Sequence, residues 1–258
     1  MWVKMLEINI IDAFSDNYIY LIRNETKNIT SVVDPGESAP VIKFLKNRGW
    51  HLDEIVNTHH HHDHVGGNLE IQKKTMCKIY GPHAEKTKIP GINLGLKVGV
   101  VYKLGSLEYK IIETPGHTSG HICYYFFKNN ILFSGDTLFS LGCGRVFEGT
   151  ASEMWKSLKK IRELPDETTV YCGHEYTESN TNFATFIDSE NVMLKEKKKQ
   201  VLNLRKANQP TVPFNLGEDK LLNPFLRVDE GYLSEKLNLS LNKPAEVFAK
   251  IRKMKDNF

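Results

Sequence analysis

From residue 5 to about residue 172 the chain alternates short apolar runs with turn signals. LEINIID, NYIYLIR, TSVVD, LEYKIIET, HICYYFF, NILFSGD and TVYCG are rich in Val, Ile, Tyr and Phe and read as β-strands. The first of them extends an alternation that starts at the N-terminus, MWVKMLEINIIDAF. ESAPVIKFLKNRG has helical spacing and closes on Gly49, while SEMWKSLKKIREL opens on Ser152 as an N-cap and is ended by Pro165. After GHEY the texture changes. Residues 176–206 are helix-like, the tail from Pro244 predicts another helix, and NQPTVPFNLGEDKLLNPFL, with three prolines and a glycine, reads as an irregular connector. The pattern predicts a β-rich main domain over 1–174 and a mostly helical part over 175–258.

Composition narrows the class. A chain of 258 residues can bury a full core, so a peptide-sized or disulfide-dependent fold is excluded. Hydrophobic content of 40%, charged content of 25% and a net charge of +3 are too ordinary to point to nucleic acid or membrane as the main partner. The basic run KEKKK at 195–199 reads first as the solvated face of a helix, with a contribution to attracting an anionic ligand as the alternative. Cys77, Cys123, Cys143 and Cys172 form no CxxC pair, which fits reduced thiols in the cytosol. No signal or transit peptide is expected, and no apolar run approaches the ~20 residues that span a bilayer.

The chemistry concentrates in THHHHDHVGG, residues 58–67. Following a strand, His59 and His61 can reach one point from alternate positions. Asp63 and His64, where the chain turns toward a helix, can aim at a second. His60 and His62 then face elsewhere, and Gly66-Gly67 lets the backbone turn tightly beside the cluster. Two ligand pairs point to two metals, yet a catalytic zinc wants about three protein ligands, so further donors must come from elsewhere. Three stretches that each follow a strand can supply them: TPGHTSGH with His117, FSGDT with Asp136 and YCGHEY with His174.

In these residues the chain resembles the metallo-β-lactamase superfamily, whose motif H-x-H-x-D-H is matched by His59, His61, Asp63 and His64. The resemblance implies an α/β fold, an αββα sandwich with both metals at one edge of the two sheets. It assigns His59, His61 and His117 to one metal, Asp63, His64 and His174 to the other, and Asp136 as the bridge. His121 matches no ligand and is expected to be structural or supporting. Asp34 in VVDPG either orients a ligand histidine or is an ordinary turn aspartate.

The likeness narrows further. FSGDTLFSLGCGRVFEGT, YCGHEYT, PTVP, NPFLR and RKMKDNF are similar to the glyoxalase II (hydroxyacylglutathione hydrolase) family along the whole chain. That resemblance implies substrate contacts at Arg145 and the backbone after it, at Phe147, His174 and Tyr176, and at Arg252 and Lys255 in the tail. Animal members have a tyrosine where this chain has Phe147, so one hydroxyl contact to glutathione is missing or replaced.

Charge arithmetic supports a thioesterase. Two divalent cations bring +4 and Asp63, Asp136 and a bridging hydroxide remove three, leaving a site near +1 that makes hydroxide available near neutral pH. Asp63 and Asp136 are thus the catalytic carboxylates. A leaving thiol with pKa of ~8.5 needs no strong general acid, and none of the cysteines is needed as a nucleophile. Arg252 and Lys255, at i and i+3, are neighbours on one helix face; spacing alone favours a solvated basic helix end, and it is the resemblance of the tail to the family that implies they grip the glycine carboxylate while Tyr176 and Arg145 hold the peptide.

The expectation is a monomeric cytoplasmic enzyme with two divalent ions, zinc foremost with iron or manganese as alternatives. It would convert S-(2-hydroxyacyl)glutathione, chiefly S-D-lactoylglutathione, to glutathione and D-lactate, the second step of methylglyoxal detoxification, with no nucleic acid or membrane partner. The rivals are a glutathione persulfide dioxygenase with one iron, a hydrolase of the same fold acting on another substrate, and a metal-dependent binding protein without catalysis.

Overall fold

A computed structural model of the protein describes residues 6–240 and 242–258. The alternation read in residues 1–5 lies outside the described residues. The chain forms two compact units, one from the N-terminal residues through Glu113 together with Gly120–Asn129, the other from Thr114–Ser119 together with Asn130–Phe258.

In the first unit, β1 (Glu7–Ala13), β2 (Asn17–Asn24), β3 (Ile29–Val33), β4 (Glu54–Val56), β5 (Lys78–Pro82) and β6 (Leu94–Leu96) form one sheet in sequence order. The pairings β1–β2 and β2–β3 are antiparallel, and those from β3 to β6 are parallel. Parallel neighbours need crossovers. These are α1 (Ser38–Arg48) between β3 and β4, and α2 (His62–Val65) with α3 (Asn68–Thr75) between β4 and β5. As expected, α1 stops at Gly49, whose φ of +64° suits a residue without Cβ and whose N–H returns to the carbonyls of Leu45 and Lys46. Leu21, Val32, Val41, Leu52, Ile55, Ile71 and Ile79, all fully buried, join the sheet to these helices. Three antiparallel strands, β7 (Val101–Leu104), β8 (Leu107–Glu113) and β9 (Ile122–Phe126), complete the unit.

In the second unit β10 (Ile131–Gly135) is followed by a small hairpin, β11 (Leu138–Phe139) and β12 (Gly142–Cys143), then by α4 (Ala151–Arg162) and β13 (Thr169–Cys172). Strand β13 runs parallel to β10. The remainder is α5 (Thr177–Ile187), α6 (Val192–Lys206), β14 (Phe214–Asn215), α7 (Leu216–Leu222), α8 (Gly231–Lys236) and α9 (Pro244–Asp256). Strand β14 pairs antiparallel with β13. Phe183, Phe225 and Phe248 are fully buried among these helices.

Two sequence expectations are corrected here, and a third is refined. Ser152 does not cap α4. Thr150 does, because Glu153 stands three residues on and completes a reciprocal capping box. The stretch 176–206 is helical as expected, divided into two helices where Asn191 accepts from the Leu194 amide and starts α6. The proline-rich connector is ordered, holding β14 and α7, with the Asn215 side chain capping the Glu218 amide at 2.8 Å. Cys77, Cys123, Cys143 and Cys172 are all buried thiols without a disulfide, as expected.

In both units candidate donors leave the C-terminal ends of adjacent parallel strands, where open α/β sheets characteristically bind ligands. Asp34 follows β3 and the histidine run follows β4. Asp136 follows β10 and His174 follows β13.

Candidate metal centre

Four of the expected donors belong to the first unit: His59, His61, Asp63 and His64. Asp34 organises them. Its backbone is held at φ +48°, and its carboxylate accepts from the Thr58 amide at 2.7 Å, the Thr58 hydroxyl at 2.6 Å and Nδ1 of His64 at 3.1 Å. The buried His59 lies with Nδ1 3.0 Å from the Thr58 hydroxyl. Asp34 orients a histidine of the cluster: its contact to Nδ1 of His64 turns Nε2 the other way, as it would for a metal donor. Asp63, in the first turn of α2, accepts from Asn17 Nδ2 at 2.9 Å and stands 3.4 Å from His64 Nε2.

The glycines beside this cluster allow a tight backbone passage that a Cβ would obstruct, as expected, and do so without a positive φ. Gly66 has an ordinary φ of −61°, and a Cβ on it would lie 2.7 Å from the Gly36 carbonyl oxygen. One on Gly36 would lie 1.9 Å from the Asp63 carbonyl oxygen. Both positions are glycine because two backbones press together. As expected, His60 turns away, donating to Glu85 at 2.8 Å, and His62 is exposed. His121 is buried and stacks on His59 with ring centroids 4.9 Å apart, a supporting role.

The second unit supplies His117, Asp136 and His174, all buried. One carboxylate oxygen, Oδ2 of Asp136, lies 3.4 Å from Nε2 of His117 and 3.2 Å from Nε2 of His174. Two donors bound to one tetrahedral zinc at about 2.05 Å would stand about 3.3 Å apart. These separations, and that of Asp63 from His64, therefore suit neighbouring ligands of a cation. His117 donates from Nδ1 to the Arg145 carbonyl at 2.9 Å, which again turns Nε2 toward the carboxylate. Each unit thus carries a His/Asp set of the kind a metal requires.

The expected substrate residues also lie in the second unit. Tyr176 stacks on His174 with centroids 4.7 Å apart and planes 4° apart, and the exposed Phe147 lies 5.2 Å from the His117 ring. The exposed Arg145 and the buried Arg252 both reach Asp256, at 3.8 and 3.0 Å. Arg252 also donates to the Cys143 carbonyl at 2.8 Å, so much of its guanidinium is engaged within the protein. Lys255 donates to Ser179 Oγ and O at 2.8 and 3.0 Å. Burial, reinforced by Arg252 and Arg145, pulls its pKa down to about 8. The supporting side chains Asn17 and Thr58 had no distinctive sequence signal, since each reads as part of a strand or its edge.

The sequence profile of the metallo-β-lactamase superfamily matches residues 13–174. The crystal structure of BLEG-1 B3 metallo-β-lactamase aligns with a TM-score of 0.66 at 22% identity, covering 85% of this chain and 99% of that one. The chain is therefore a metallo-β-lactamase-fold protein, an αββα sandwich in class, extended by a helical C-terminal part. Residues 175–258 match the profile of the hydroxyacylglutathione hydrolase C-terminus. The hydroxyacylglutathione hydrolase of Methylococcus capsulatus is 46% identical over 254 residues, 98% of this chain and 99% of that protein. That of Rhodospirillum rubrum is 47% identical over 256 residues, 99% and 100% of the two chains. The chain belongs to the hydroxyacylglutathione hydrolase family.

Proposed function

We propose that the protein is a glyoxalase II: a binuclear metal-dependent thioesterase that hydrolyses S-(2-hydroxyacyl)glutathione, chiefly S-D-lactoylglutathione, to glutathione and D-lactate in methylglyoxal detoxification. The single observation that carries it is Asp136 Oδ2 standing at ligand spacing from both His117 and His174. Membership of the family supports the substrate. His59, His61 and His117 hold one ion, Asp63, His64 and His174 the other, and Asp136 is shared. Bound there, a divalent pair supplies water activation near neutral pH and polarisation of the thioester carbonyl. Mixed imidazole and carboxylate donors suit zinc, which we take as the resident metal over iron or manganese.

The chain's own groups do the rest. Asp34 and the Arg145 carbonyl hold protons on Nδ1 of His64 and His117, which fixes each ring's orientation and leaves Nε2 as the nitrogen that would face a metal. Asn17 steadies Asp63. The face of Tyr176 on His174 sets one wall for the substrate, with Phe147 beside His117. Arg252 and Lys255 form a cationic group for the glycine carboxylate of glutathione, while Arg145 and Tyr176 hold its peptide. We place the functional boundary at residue 174, where the two family profiles meet: metal binding before it, and after it the helical segment that contributes Tyr176, Arg252 and Lys255. We further propose that the protein acts as a cytoplasmic monomer without a nucleic acid or membrane partner. No helix among the described residues is long and apolar enough to cross a membrane.

The test is an anaerobic assay with S-D-lactoylglutathione, with metal analysis of the same preparation. Thiol and D-lactate should appear in equal amounts at about two metals per chain. No turnover without oxygen, combined with oxygen consumption on glutathione persulfide, would replace the hydrolase by a dioxygenase.

A further inference from the structure

The backbone of the small hairpin β11–β12 is gripped almost residue by residue from the C-terminal helices. Asn223, just after α7, donates to the carbonyls of Phe139 and Gly142 at 3.3 and 3.0 Å. Asn180 of α5 donates to the Ser140 carbonyl at 3.1 Å. Asp219 of α7 accepts from the Leu141 amide at 2.7 Å, and Arg252 of α9 takes the Cys143 carbonyl at 2.8 Å. Leu141 sits at the hairpin tip with φ +57° and packs against Ala184, Leu194 and Leu222.

What the hairpin carries explains the precision. Its base closes on the metal-ligand backbone, with the Gly144 amide donating to the Thr137 carbonyl at 3.2 Å. A Cβ on Gly144 would lie 1.9 Å from the Asp136 carbonyl oxygen and 3.2 Å from Nδ1 of His117. The next carbonyl, of Arg145, is the acceptor that fixes the His117 proton. A shift of a few tenths of an ångström at 139–143 would therefore reach both Asp136 and His117.

We infer that Asn180, Asp219 and Asn223 are positioning residues for the metal centre: by holding residues 139–143 they set the Gly144–Arg145 backbone that fixes Asp136 and the tautomer of His117. The inference rests on the proposed metal centre and gives the helical segment a second role besides substrate binding. None of the three side chains touches substrate or metal in this scheme. Their effect is transmitted through the main chain of one hairpin.

The experiment is chelator competition on the full-length, zinc-loaded protein at neutral pH, comparing the parent with Asn180→Ser, Asn223→Ala and Arg162→Ala. Arg162→Ala is the stability control. It deletes a bidentate pair with Asp229, both contacts 2.6 Å, in the same helical region but away from the hairpin. Asn180→Ser and Asn223→Ala should weaken at least one zinc by about 10- to 100-fold, as loss of groups that orient ligands typically does, while Arg162→Ala lowers thermal stability and leaves metal affinity unchanged. Equal metal affinity in the folded Asn variants, or equal weakening by Arg162→Ala, overturns the inference. Should Asn223→Ala fail to accumulate, Asn180→Ser decides alone, since it removes a single donor. A parent that binds no metal would instead overturn the proposed function, so the two failures are distinct.

Discussion

Asp34 holds His64 from behind: Oδ2 of the aspartate lies 3.1 Å from Nδ1 of the imidazole, and both side chains are buried. The same carboxylate takes the amide and hydroxyl of Thr58, whose neighbour is His59. Replacing Asp34 with Asn keeps the shape and removes the charge that favours the Nδ1–H tautomer. Asp34→Asn should retain the fold and lose about 10- to 100-fold in affinity for one ion, read by chelator competition. Unchanged affinity would assign Asp34 to the turn alone.

Asp136→Ala removes the one oxygen set between His117 and His174. Metal content should fall from about two ions per chain to fewer than one, with turnover lost in parallel. A fully active variant carrying a single ion would end the binuclear mechanism.

Lys255 is predicted to act on substrate affinity and to leave the metals alone. A charge-assisted contact is worth roughly 1.5–3 kcal/mol, so Lys255→Ala should raise KM about 10- to 100-fold at constant metal content. Because its pKa is pulled down to about 8, the binding ammonium is lost as pH climbs through about 8, and KM should rise there. Lys255→Arg, which stays charged, should keep KM flat over the same range. A pH-independent KM in the parent would remove Lys255 from the substrate site.

Asp219 makes stability depend on pH. Burial pushes its carboxyl up to about 7, with Lys197 favouring and Glu218 opposing the charge. The folded state then binds more protons than the unfolded one between roughly pH 4 and 7. Its contribution is fully present below the unfolded pKa and is lost as pH rises through about 7. Asp219→Asn should flatten that part of the stability profile, measured by urea midpoints at pH 5 and pH 8.

The proposed donor set stands out in the sequence because metal chemistry asks for particular side chains at close spacing. His59, His61, Asp63 and His64 crowd one loop, and His117, Asp136 and His174 each follow an apolar run that ends in Gly or Pro. Strands with Val, Ile and Tyr on successive positions were readable for the same reason, and so was the glycine stop of α1. What could not be read depends on distant partners. Ser152 and Thr150 both carry a hydroxyl able to cap, and only the reciprocal Glu153 contact distinguishes them. Strand β6 has only three residues, and β5 and β7 carry Gly, Pro or Lys where an apolar run would announce a strand. Asn180 and Asn223 are unremarkable polar residues in sequence, and only their distant carbonyl partners give them meaning. Arg252 was expected to face a ligand carboxylate, and the structure adds a main-chain partner that no spacing rule foretells.

The burial of Cys77, Cys123, Cys143 and Cys172 bears on the company this protein keeps. Burial raises the pKa of Cys77 and Cys172 and pushes that of Cys143 up to about 11, so little thiolate forms at neutral pH. A thioester is an acyl donor, and an accessible thiolate would exchange with it, trapping the acyl group on the enzyme and releasing glutathione without hydrolysis. With its own sulfur buried out of reach, the protein offers an incoming thioester water as acceptor rather than itself, and transthioesterification is closed as a route to self-inactivation.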